Sequence, residues 1–228
     1  RRETHGGVQL EIYHHPEHAY ALEAMLAASR DGLDYFSREF SPYQFRQYRI
    51  LEFPRYQLFA QAFPNTIPFS EGIGFIQRLE DGDDAIDWTY FVTAHELAHQ
   101  WWAHQSPGGF AQGATLLTEG LAEYSALVLM ERKYGREAAQ KFLRQELDGY
   151  LRGRGRERKK EVPFLYVENQ PYIHYQKGSL VYYALRDYLG EETFHRAVRS
   201  YVEKWAFKGP PYATSRDLLA EIRAVTPD

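Results

Sequence analysis

Two histidines and two glutamates carry most of the chemistry that this sequence can do. In His95-Glu96-Leu97-Ala98-His99 the imidazoles stand four residues apart, so on a helix they share one face and can reach one metal ion. Glu96 leans to the side of that face, within reach of a water at the ion. A third ligand has to come from elsewhere, and Glu119 is placed to supply it from a second apolar helix, in Thr118-Glu119-Gly120-Leu121-Ala122-Glu123-Tyr124. Two imidazoles, one carboxylate and an open fourth position describe a catalytic zinc site of the hydrolase type, with one Zn2+ per chain. Such an ion brings the pKa of a water down to about 7, and Glu96 would take that proton and pass it to a leaving amine. Glu123, one turn after Glu119, could accept the second N–H of a ligand histidine and fix its tautomer.

Nineteen residues lie between His99 and Glu119. That is room for the metal helix to finish, for a loop with Pro107-Gly108-Gly109 to turn, and for a second helix to run back. The competing reading is a chance five-residue pattern on an amphipathic helix, with Trp101 and Trp102 in the core. A correctly spaced glutamate opening a further helix is independent support for the metal. His104, beside a loop, reads as a surface histidine and not as a ligand.

The elements that must hold these groups follow from periodicity. Val8–Tyr13 alternates apolar and polar residues and reads as a strand. Pro16 opens a helical stretch to about Phe40, with Leu22, Met25, Leu26, Leu33 and Phe36 on its buried side. Residues 48–53 and 72–76 read as strands, and residues 80–84 as turn material. Helices are expected at 88–104, 116–134, 136–150, 173–189, 191–205 and 214–224, the last opened by a Thr214-Ser215-Arg216-Asp217 cap. The fold class is α+β: one catalytic domain over residues 1–228, with a small sheet lobe over 1–86, a mainly helical lobe over 87–228, and the zinc site in the cleft between them.

Composition sets the bounds. Hydrophobic residues at 44% and aromatics at 16% argue for a packed globule over disorder. A net charge of −4 gives no bulk attraction to nucleic acid. With no cysteine, disulfides and thiolate ligands are excluded, while the redox compartment stays open. No apolar run is long enough to span a bilayer, which makes this a soluble domain. The start, Arg1-Arg2-Glu3-Thr4, shows neither an initiator methionine nor a signal pattern, so the chain reads as a piece of a longer polypeptide.

The stretches HELAHQWW and TEGLAEY resemble the membrane alanyl aminopeptidase (aminopeptidase N) family of gluzincins, over most of the chain from about Tyr48 onward. The resemblance implies a thermolysin-like catalytic domain, zinc dependence, and a peptide substrate with a free N-terminus. It further implies that Glu71, in Pro68-Phe69-Ser70-Glu71-Gly72, holds the substrate α-amine, and that Tyr175, in Tyr175-Gln176-Lys177-Gly178, stabilises the tetrahedral intermediate. The competing readings, an ordinary turn carboxylate for Glu71 and a structural phenol for Tyr175, are the less favoured ones; Lys177 reads as structural. Thr118 stands where the family commonly has Asn, and Pro68, without an N–H, alters the backbone that a substrate strand would pair with. The wording FPNTIP and AHELAHQWWAHQ is most similar to bacterial forms fused to membrane permease-like segments, which implies flanking domains and a membrane-anchored parent.

The expected activity is therefore zinc-dependent hydrolysis of peptide bonds, foremost the N-terminal one. Two alternatives stand beside it: an endopeptidase with an open cleft in which Glu71 plays no substrate role, and a zinc-stabilised interaction or sensory module without catalysis. The basic stretch at residues 152–160 reads as an exposed loop, solvated or in contact with anionic lipid.

Overall fold

A computed structural model describes residues 1–77 and 85–226. The acidic turn expected at residues 80–84 lies outside the described residues. The N-terminal part is a four-stranded sheet in the order β1 (Arg2–His5), β2 (Val8–Tyr13), β3 (Gln47–Phe53) and β4 (Thr66–Ser70). β1 and β2 form an antiparallel hairpin whose turn residues, Gly6 and Gly7, have φ of 54° and 82°. Both central residues of such a tight turn need positive φ, which glycine adopts without a Cβ clash. β2, β3 and β4 run parallel, with Ile12 opposite Ile50 and Ile50 opposite Ile67. The crossover from β2 to β3 is α1 (Leu22–Glu39), whose buried residues include the five expected from its periodicity.

Helices follow: α2 (Trp88–Ala98), α3 (Leu121–Tyr134), α4 (Arg136–Arg156), α5 (Gly178–Leu189), α6 (Glu191–Trp205) and α7 (Ser215–Val225). α2 packs between α1 and α3 and is buried on nearly every side, which is why its apolar residues show little amphipathic bias. One core runs continuously from Leu10 in the sheet to Ile222 in α7. The indoles of Trp101 and Trp102 sit in it with their N–H groups satisfied, by the Ser41 carbonyl at 2.7 Å and the Ser125 hydroxyl at 2.8 Å.

The structure departs from the sequence reading at several places. β1 lies where the sequence reading places no strand. The strand expected at 72–76 is instead β4, ending at Ser70; the Ser70 hydroxyl accepts from the Gly72 N–H at 3.3 Å and turns the chain into a short 3-10 segment, Glu71–Ile73. α1 starts at Leu22, after turns that follow Pro16. α2 stops at Ala98, and residues 99–104 wind through turns that end near Ala103, whose φ is 143°. The basic stretch at 152–160 is half helix: α4 continues to Arg156, and within it Tyr172 packs so closely on Gly153 that a Cβ there would lie 2.3 Å from it. The capping box opening α7 is present, with the Thr214 N–H donating to Asp217 at 2.8 Å. No helix among the described residues is long and apolar enough to cross a membrane.

Candidate metal centre

α2 presents the two histidines from the middle of the core. Its first turn is held by the Asp87 carboxylate, which accepts from the Tyr90 N–H at 2.8 Å. Four residues apart at its last turn, the rings of His95 and His99 meet edge to face at 4.8 Å, and their Nε2 atoms are 3.1 Å apart. Both Nε2 atoms lie 3.3 Å from the same oxygen of Glu119. One ligand atom from each of the three residues falls within 4.8 Å of the others.

The donor set fits a cation. Two Nε2 atoms facing each other at this distance can share one proton at most, whereas a metal ion satisfies both lone pairs together. Burial pushes the Glu119 carboxyl up, but hydrogen bonds and charge from His95 and His99 outweigh it and hold the group well below the usual carboxylate range. His95 is driven down by burial, yet contact with Glu119 and Glu123 raises it well above its ordinary value. Glu96 is buried beside the pair and raised by that burial against the pull of both imidazoles. One oxygen of Glu96 has no partner among the described groups.

Groups behind the histidines fix their orientation. The Nδ1 of His99 lies 3.1 Å from the Trp102 carbonyl, which favours a proton on Nδ1 and leaves Nε2 as the ligand. The Nδ1 of His95 lies 2.8 Å from a Glu123 oxygen, close enough for charge contact but out of line for a hydrogen bond.

Glu119 and Tyr175 each sit in a single turn of π-helix, Leu116–Gly120 and Tyr172–Lys177, where the sequence reads as ordinary α-helix. Such widened turns recur at functional sites because they swing one side chain out of the helical register. The glycine ending the first turn and the one following the second bring them together: a Cβ on Gly178 would lie 3.4 Å from the Gly120 Cα. Tyr175 reaches the site in this way, its ring 5.9 Å from that of His95. Burial first, then the neighbouring Glu119 carboxylate, raise the Tyr175 phenol well above its usual value.

A cavity of about 320 Å³ opens on these groups. It is lined by His95, Glu96, His99, Thr118, Glu119 and Tyr175 together with Ala60, Gln61, Ala62, Ala103 and His104. The 60–62 segment went unnoticed in the sequence, since nothing in its residue types is reactive. It is placed by pairing: the Gln61 N–H donates to the Pro68 carbonyl at 3.1 Å, and Ala60 bridges Phe69. His104, expected at the surface, is half-buried in the cavity wall with Nε2 3.3 Å from the Ala62 carbonyl, and it does not join the three ligands. Burial lowers its pKa, so at neutral pH it is an uncharged donor to that carbonyl.

Glu71 does not line this cavity. Because β4 ends in the Ser70 turn, its carboxylate faces away to His18 at 3.9 Å and accepts from the Arg55 N–H at 3.2 Å. Among the described residues the carboxylates that line the cavity are those of Glu96 and Glu119.

Known proteins extend this reading. The peptidase family M1 domain matches residues 24–226. Human endoplasmic reticulum aminopeptidase 2 is 25% identical over 90% of the chain, which covers 22% of that protein. Probable aminopeptidase 1 of Sulfurisphaera tokodaii is 26% identical over 86% of the chain and 25% of its own length. Aminopeptidase M1-A of Oryza sativa subsp. japonica is 29% identical over 58% of the chain and 15% of its own length. The chain thus spans a quarter or less of each of these three relatives. With two helical histidines and a distant glutamate converging in a cavity, and a family match over nearly its whole length, the chain belongs to peptidase family M1, a hydrolase family of the aminopeptidase type.

Proposed function

We propose that this domain hydrolyses peptide bonds with one zinc ion held by His95, His99 and Glu119. The observation that carries the reading is the convergence of those three ligand atoms beside a buried, partnerless carboxylate oxygen of Glu96. Bound there, zinc would supply Lewis acidity toward a carbonyl and a water. Glu96 takes the proton of the attacking water and returns it to the departing amine; its raised pKa, set by burial, suits a group that must hold the proton between the two steps. The Tyr175 phenol, kept protonated by its surroundings, donates to the oxyanion. Glu123 holds His95 from behind. The sheet-then-helix order and the His/His/Glu set support a thermolysin-like arrangement.

The names of the relatives support removal of N-terminal residues from peptides with a free amine. One observation favours a second reading. An ammonium group needs a counter-charge to be selected, and Glu71 is outside the cavity, whose two carboxylates are already engaged in ligation and proton transfer. Cleavage that ignores the free amine, as in an endopeptidase, fits that wall. Matched peptides, one free and one N-acetylated, decide between them with the zinc-loaded domain: preference for the free amine upholds aminopeptidase action, and equal or better cleavage of the acetylated peptide upholds the second reading. If neither peptide nor a broad peptide library is cleaved, and Glu96→Gln changes nothing measurable, the site belongs to a zinc-stabilised interaction module. Flanking domains belong to the same proposal, supported by the small share of each relative that the chain covers.

A further inference from the structure

Glu71 belongs instead to a second cluster, formed with His18 and Glu52, that shares no residue with the His95 site. We propose that these three side chains bind a second divalent transition-metal ion, of the zinc or manganese type. The three come from the carboxyl ends of the parallel strands. His18 lies in the connection from β2 to α1, Glu52 is the penultimate residue of β3, and Glu71 opens the 3-10 segment after β4.

The donor atoms are arranged for one ion. One ligand atom from each residue lies within 4.8 Å of the others. The Nδ1 of His18 touches one oxygen of Glu52 and stands 3.9 Å from one oxygen of Glu71. The second oxygen of each carboxylate is occupied by a backbone N–H, that of His15 for Glu52 and that of Arg55, at 3.2 Å, for Glu71. Each carboxylate is therefore clamped through one oxygen and presents the other to the imidazole, the arrangement by which outer hydrogen bonds orient metal ligands.

Charge points the same way. The Glu52 side chain is only 6% exposed, and that of Glu71 20%. Among the described residues neither forms an ion pair with lysine or arginine; His18 is the sole charge partner of both. Two partly buried carboxylates against one imidazole leave negative charge unbalanced, which a divalent cation would cancel. A further imidazole, that of His15, has its ring centred 4.9 Å from that of His18. An imidazole with two carboxylates selects borderline cations over soft, thiol-seeking ones, and the imidazole disfavours calcium. A bound ion would tie the start of α1 to two strands of the sheet that carries the 60–62 wall.

Titration of the metal-free chain with Zn2+, and separately with Mn2+, followed by calorimetry and elemental analysis, tests this. The wild type should bind two zinc ions. His99→Ala should keep one of them, and Glu52→Gln with Glu71→Gln should keep the other; Glu71→Gln alone should weaken the second ion roughly tenfold or more. A wild type that binds a single equivalent, with none left in His99→Ala, or a second equivalent unaffected by the paired Gln substitutions, overturns the proposal. Should the paired variant fail to fold, Mn2+ added to His99→Ala gives the answer without it: the histidine ring signals of His18 and His15 should broaden before that of His104. Broadening absent at His18 overturns the assignment, and because the His95 site is disabled in that protein, its outcome is independent of peptidase activity.

Discussion

Glu146→Gln should remove a pH liability built behind the metal centre. Glu146 is buried on α4, and one of its oxygens has no hydrogen-bond partner. Burial first, then the charge of Glu123, raise its pKa from 4.5 to about 8, against a smaller lowering by the Ser179 hydroxyl. The folded-state pKa lies above the unfolded one, so the carboxyl costs nothing while protonated in both states. Stability is whole below the unfolded pKa and falls as pH rises, until the folded-state carboxyl itself ionises near 8. At 1.36 kcal/mol per unit, the wild type should lose about 3 kcal/mol more than Glu146→Gln between about pH 5.5 and about pH 9. The amide is nearly isosteric with the protonated acid and does not titrate. Urea unfolding of both proteins at the two pH values, with chelator present throughout, measures the difference. Parallel loss in the two proteins would refute the reasoning, because it would mean that Glu146 is ionised in the fold at no cost.

Glu96→Gln should slow peptide hydrolysis by roughly 10²- to 10⁴-fold with metal content unchanged, measured by turnover and elemental analysis on the same sample. Tyr175→Phe should lower kcat by roughly 10²- to 10³-fold with KM nearly constant, since the phenol is assigned to the transition state; an unchanged kcat would return Tyr175 to a structural role. Gly32→Ala places a Cβ 2.6 Å from the Leu97 Cδ2 and 3.3 Å from Leu129 in the core beside the metal helix. It should destabilise by roughly 1–3 kcal/mol in denaturant unfolding despite alanine's better helix propensity. Thr214→Ala breaks the capping box of α7 and should cost about 1 kcal/mol by the same measurement.

What was legible beforehand is local in origin. Four-residue spacing puts His95 and His99 on one face of any helix, and α2 does so in the middle of the core. The buried stripe of α1, the strands β2 and β3, and the Thr214 cap follow from periodicities and hydrogen bonds a few residues long. Other features depend on atoms distant along the chain. Glu71 faces His18 and not the cavity because a serine hydroxyl ends β4 one residue before it, and residue type alone does not say on which side of such a turn a carboxylate emerges. The 60–62 wall has no reactive group and takes its place only by pairing with β4. The widened turns holding Glu119 and Tyr175 arise where Gly120 meets Gly178 across two separate helices. From its sequence alone this protein declares which side chains can hold a metal, since ligand chemistry and helical spacing are properties of neighbours. Tertiary structure decides which carboxylate faces which histidine, since direction is set by packing between segments that only the folded chain brings into contact.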